Sequence, residues 1–179
     1  SADRLQLLNV PAGNHLAAIQ NATVDAISAW EPFPTLVLDK VKGSALVARG
    51  GSILGYYILM MAPDDLIAKQ PDVVERYVLG YAAASHWTRQ HPAEAAEIAT
   101  RWIPGMDADA ARKAIGYVHF ESRISRFSLQ AYDDNLRVLM EQKKIKAPVP
   151  RDHAFDTRFI EKGMREQAGL FGDLKPIPQ

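Results

Sequence analysis

The stretch Trp30-Glu31-Pro32-Phe33 sets an indole, a carboxylate and a proline break directly after the apolar run of residues 23–29. It reads as a buried strand that ends and a helix that begins, with Pro32 in the first turn, where its missing N–H costs nothing. In an open α/β sheet, ligands bind beyond the carboxyl ends of the strands. There Trp30 offers a stacking face and Glu31 a charge. Each residue also has a plainer role open to it. Trp30 can be a core residue at a strand end, and Glu31 can favour the N-terminus of its own helix by roughly 0.3–1 kcal/mol. A carboxylate repels an anion, so a ligand touching Glu31 must bring an amine or a ring nitrogen. Asp25 reads as a cap or turn group.

Asn14 and His15 open a helix directly after another short apolar run. Free backbone N–H groups at such a point can hold an anion, and the alternative is an ordinary cap. Tyr56 and Tyr57 sit in a run where alternate side chains face opposite ways, so one can face a cleft while the other packs. Arg123 and Arg126 lie in an aperiodic stretch, available for bidentate anion contacts or as solvated surface arginines. The 5 histidines (His15, His86, His91, His119, His153) form no metal-ligand pattern, and His86 and His91 fall on different faces of a helix. There is neither a His-Glu-x-x-His motif nor a glycine-rich phosphate loop, and no metal or cofactor is expected. Asp107 and Asp109 read as a helix start.

The elements that must position these residues follow from periodicity. Residues 5–10, 23–30, 45–48 and 53–61 read as four short strands, the last continuous in its apolar character, as a strand covered on both faces would be. Helices are expected at 14–21 and from Pro32 to near Gly43. From Ala62-Pro63 onward the chain reads as helical to its end. Helices are expected at 64–68, from Pro71 to His91, at 93–102, 107–117, from a Ser128 cap toward Pro148, and at 155–167. Within the long one, Val73, Val74, Tyr77, Val78, Tyr81 and Ala84 recur at helical spacing. Tyr77, Tyr81 and Trp87 read as packing residues. The expected architecture is therefore α/β, a small mixed sheet with flanking helices and then an all-helical part, divided at 1–61 and 62–179.

Composition limits the function classes. Lys plus Arg and Asp plus Glu are each 21, for a formal net charge of +0. A nucleic-acid or anionic-membrane partner would need a basic excess. With 0 cysteines, the sequence holds no disulfide, thiolate nucleophile or Cys-ligated zinc. The longest nearly apolar run, residues 53–62, is too short to span a bilayer.

The segment Leu7-Leu8-Asn9-Val10-Pro11, the helix end Gln20-Asn21, and Val24-Asp25-Ala26 running to Trp30-Glu31-Pro32-Phe33 together resemble the aliphatic-sulfonate, taurine and nitrate binding proteins of ABC importers. Pro71-Asp72-Val73-Val74 to Trp87, followed by His91-Pro92-Ala93-Glu94-Ala95-Ala96, resembles the paired helices of the same family. The resemblance covers nearly the whole chain and its Val-Asp-Ala…Trp-Glu-Pro piece is the more specific part. It implies a type II periplasmic-binding-protein fold of which this is the C-terminal half: the end of lobe 2, a hinge strand near 57–61, and helices returning to lobe 1. It further implies a small anionic or zwitterionic solute held in an inter-lobe cleft by Trp30, Glu31, Tyr56, Tyr57, Asn14 and His15. A monomeric full-length protein would deliver that solute to a membrane permease, in a periplasmic setting, with the signal peptide upstream. An enzyme on the same fold, acting as a desulfinase or in pyrimidine-precursor synthesis, and a ligand-sensing module are the alternatives.

Overall fold

Residues 4–50 and 57–175 are described by the computed structural model. Among them the structure is 56% helix with no strand, which overturns the expected α/β fold with a mixed sheet. Residues 5–10, 24–30, 44–49 and 57–61 lack regular structure, and no ladder of hydrogen bonds joins any two of these stretches. Their large side chains face solvent instead of a core: Val47 is 96% exposed and Met61 93%, and Leu7 and Ile58 are also exposed. The physical reason is that an apolar run becomes a strand only when a neighbour accepts its backbone groups and covers its side chains. Residues 53–56 of the expected fourth strand, Tyr56 included, lie outside the described residues.

The helices are α1 (His15–Gln20), α2 (Phe33–Lys40), α3 (Asp64–Lys69), α4 (Pro71–Gln90), α5 (Pro92–Ala99), α6 (Ala108–Ile115), α7 (Arg126–Glu141), α8 (Arg151–Ala154) and α9 (Arg158–Glu166). Their ends follow local chemistry. The Asp107 carboxylate caps α6 by accepting from the Ala110 N–H at 2.9 Å. Ser125, not the expected Ser128, caps α7: its Oγ accepts from the Ser128 N–H at 3.1 Å. Arg126 and Phe127 are therefore helical instead of forming the end of a loop. Gly43, just past α2, has φ +87°, a conformation that glycine adopts without a Cβ penalty.

The chain divides into two compact units. The first is Ser1–Ala48 with Gln90–His119. Its core is Leu36 of α2 set among Ala96 of α5, Met106, and Ala110 and Ala111 of α6, with Phe33, Ala99, Ile103 and Ile115 packed around them. The small residues let α5 and α6 approach each other closely, and α6 reaches α2. Asp39 and Lys40 of α2 add ion pairs to Lys113 and Asp107 at the rim, which contribute little at such exposure.

The second unit is Arg49–Arg89 with Phe120–Gln179. Its core joins Ala82 of α4 to Ile160 of α9 and Phe171, with Val78, Met164, Leu170 and Leu174 around them. The buried line on α4 is Val74, Ala82 and Ser85, with Val78 partly buried. Tyr77, Tyr81 and Trp87 lie on its exposed side, so they are not the packing residues that the sequence indicates. At the α4–α9 crossing, a Cβ built on Gly163 would stand 2.5 Å from Leu79 Cδ2. Gly163→Ala is expected to destabilise this unit by about 1–3 kcal/mol, because the Leu79 side chain must leave its position. Urea unfolding of the variant at wild-type stability would show that α9 does not sit this close.

Candidate functional site

The first unit brings together three of the residues singled out by sequence. Residues 24–30 lead into α2 through a turn closed by the Phe33 N–H to Trp30 C=O bond at 3.1 Å. This places Phe33 beside Trp30, with ring centroids 6.1 Å apart and nearly perpendicular planes. Phe33 also meets His15, with ring centroids 5.7 Å apart and planes nearly perpendicular. Such pairs contribute roughly 0.5–1.5 kcal/mol beyond burial. Phe33 is therefore the hub of a corner that carries His15 and Trp30, and it leans in turn on the Leu36 core. Trp30 keeps 45% of its surface exposed. Glu31, between Trp30 and Phe33 in sequence, accepts a hydrogen bond from the Thr35 hydroxyl at 2.6 Å.

His15 is 7% exposed. Its Nε2 lies 3.0 Å from the Val10 carbonyl. A carbonyl only accepts, so Nε2 carries the hydrogen and, in the neutral ring, Nδ1 holds a bare lone pair. Nδ1 is buried and has no hydrogen-bond partner. The sequence reading of Asn14 is corrected here. Its side chain makes no cap bond, it is exposed, and it belongs to a short 3-10 turn (Ala12–Asn14) ahead of α1. It is His15, not Asn14, that faces inward.

Tyr57 belongs to the second unit, where it is half-buried. Burial pushes its phenol up from the ordinary value, and the charges of Tyr132 and Asp133 on α7 add to the effect. Arg123 is neither solvated nor open to an anion. Its side chain is tied to Glu121 at 2.7 and 2.9 Å and to the Lys175 carbonyl at 2.7 Å. Burial alone would raise the Glu121 carboxyl, but the Arg123 bonds outweigh it and hold that carboxyl low.

A shallow hollow of about 150 Å³ also belongs to the first unit, lined by Thr35, Leu38, Asp39, Lys113 and Tyr117. Lys113 donates to Asp39 at 2.6 Å, and Lys113 and then Lys40 hold the Asp39 carboxyl below its usual range. The charges at this rim thus neutralise each other. Among the described residues no group of three or more His, Asp or Glu is placed to hold a metal ion. No helix among them is long and apolar enough to cross a membrane.

Phe33 and Thr35 were not singled out from sequence, yet they organise the corner. A signal was present: Phe33 stands three residues after Trp30 and Thr35 four after Glu31, the spacings at which side chains meet across a helical turn. No protein-family model, curated protein or solved structure matches the chain.

Proposed function

We propose that this chain is the C-terminal half of the solute-binding component of an ABC importer, and that the His15–Phe33–Trp30 corner is one wall of its ligand cleft. The observation that carries this reading is the corner itself. Side chains from two separate segments, His15 and Trp30, meet on one phenylalanine, and Trp30 keeps 45% of its surface exposed. A half-exposed indole that adjoins a carboxylate in sequence suits a small solute with a flat or aliphatic face and a polar end. A second observation agrees with it. Leu5, Leu7 and Leu8, and Leu46 and Val47, of the first unit and residues 58–61 of the second have exposed apolar side chains. The remaining half of such a protein would cover them.

The solute is small and anionic or zwitterionic, sulfonate-like before nitrate-like. Glu31 favours a solute that also carries an amine, since a bare oxyanion would be repelled. The loaded protein hands the solute to a membrane permease in an extracytoplasmic compartment.

Trp30→Ala in the intact protein is expected to weaken solute binding at least about tenfold, the loss typical of truncating a buried aromatic anchor. Titration calorimetry with taurine and with ethanesulfonate measures it. Unchanged affinity would remove Trp30 from the site.

A further inference from the structure

The balanced total of charge hides a local excess just past α7. Residues 142–150 join α7 to α8 and hold Lys143, Lys144 and Lys146 with no acid. All three are exposed, and among the described residues none of them forms an ion pair. The carboxylates of the preceding turns are engaged elsewhere, Asp134 and Glu141 with Arg137, and Asp133 with Arg151. The backbone singles out Lys143. Its N–H donates to the Met140 carbonyl at 2.9 Å, and the Lys144 N–H donates to the Leu139 carbonyl at 2.8 Å. These bonds close α7 in a motif whose first residue beyond the cap is usually glycine. Lys143 takes that place at φ +55°, in the left-handed region that a Cβ disfavours. The chain thus carries a charge where glycine would fold more easily. Lysines beside a helix end also complement its dipole, but that effect fades within the last turn, and Lys146 lies beyond it.

We propose that the 143–146 turn is a peripheral attachment site for an anionic phospholipid surface. Lysine is a compact, hydrated point charge that needs no fixed partner geometry. A layer of lipid phosphates imposes none, whereas protein interfaces are depleted in lysine and favour aromatic residues and arginine. Residues 139–150 contain no aromatic side chain and no arginine with which to stack on or read a nucleic-acid base. Leu139 and Met140, both exposed on the last turn of α7, add apolar contact at the acyl boundary. Each lysine held near such a surface strengthens the attraction about fivefold, so the three together give about a hundredfold. Charges farther than about 10 Å from the turn are screened at physiological salt, so the neutrality of the whole chain does not cancel the attraction. The attachment goes beyond the solute-binding reading and does not depend on it.

The test is co-sedimentation of the intact protein with vesicles of phosphatidylcholine alone and of equimolar phosphatidylcholine and phosphatidylglycerol. Binding is expected only to the mixed vesicles, and it should fall steeply between about 0.05 and 0.5 M salt. Lys143→Gly removes one charge and relieves the backbone, so partition should fall about fivefold while the urea midpoint does not fall. Adding Lys144→Gln and Lys146→Gln should bring the loss to about a hundredfold. Lys42→Gln, which removes an exposed lysine of the first unit, should leave partition unchanged. No binding to the mixed vesicles, full binding by the triple variant, or an equal loss in Lys42→Gln and Lys143→Gly overturns the site. Capture by polyglutamate or duplex DNA at a salt concentration where the mixed vesicles capture nothing gives the turn a protein or nucleic-acid partner and also overturns it. The assay contains no solute, so failure of the solute-binding reading leaves its outcome untouched.

Discussion

Replacing Arg89 by methionine lowers the stability of the second unit by about 2–4 kcal/mol. Arg89, near the end of α4, grips the chain's last described turn. Nε and one terminal nitrogen donate to the two Asp173 oxygens at 2.8 and 2.9 Å, and further bonds reach the Leu170 carbonyl at 2.8 Å and the Phe120 carbonyl at 2.6 Å. Methionine keeps much of the apolar stem but abandons a carboxylate and two carbonyls. The expected loss lies at or below that of a fully buried pair because Asp173 retains 25% side-chain exposure. A shift of the urea midpoint at constant slope measures it.

The pH dependence gives a second handle on the same cluster. The Arg89 bonds, first, and then His86 hold the Asp173 carboxyl well below the usual carboxylate range, against burial, which raises it. The folded state thus favours the ionised carboxylate. That stabilisation is complete above the ordinary carboxyl value of about 4 and is lost as pH falls below it. Acid unfolding of Arg89→Met should be correspondingly flatter. A variant within about 0.5 kcal/mol of wild type, with unchanged acid dependence, would show that the guanidinium does not carry this anchor.

Leu36→Ala in the first unit is expected to cost about 2–5 kcal/mol. Leu36 is 2% exposed and its buried neighbours are mostly alanines, Ala96, Ala110 and Ala111, which cannot extend into the space it vacates. The cavity therefore stays open, and the cost falls in the upper part of that range. Because Phe33 packs on the same cluster, the variant should also loosen the Trp30 corner and raise its fluorescence quenching. Leu36→Met, which conserves volume, is expected to cost under about 1.5 kcal/mol. An alanine variant no worse than the methionine one would place the core elsewhere.

The helices were legible in the sequence because their bonds are local. Pro71 and Asp72 opening α4, Asp107 capping α6 and Gly43 ending the turn after α2 are decided within a few residues. The α7 cap lies three residues before the expected Ser128 because Ser125 and Ser128 offer the same chemistry, and only the backbone decides which one stands outside the helix. The expected strands are absent among the described residues for the opposite reason. Ala45 to Ala48 has the composition of a strand, but pairing depends on residues far away in sequence, which composition does not reveal. The corner was half legible. Trp30, Glu31 and His15 were marked by type and position, whereas Asn14 drew a cap role that its exposed side chain does not play. Phe33, which brings His15 and Trp30 together, looked like any aromatic at a helix start.

Whether the Trp30 corner forms a wall of a solute site is tested most directly by calorimetric titration of the intact protein with taurine, ethanesulfonate and nitrate in turn, repeated on Trp30→Ala. Saturable heat is expected with at least one of the sulfonates, weakened in the variant at least about tenfold. Absence of heat with all three, or equal binding by Trp30→Ala, would contradict it.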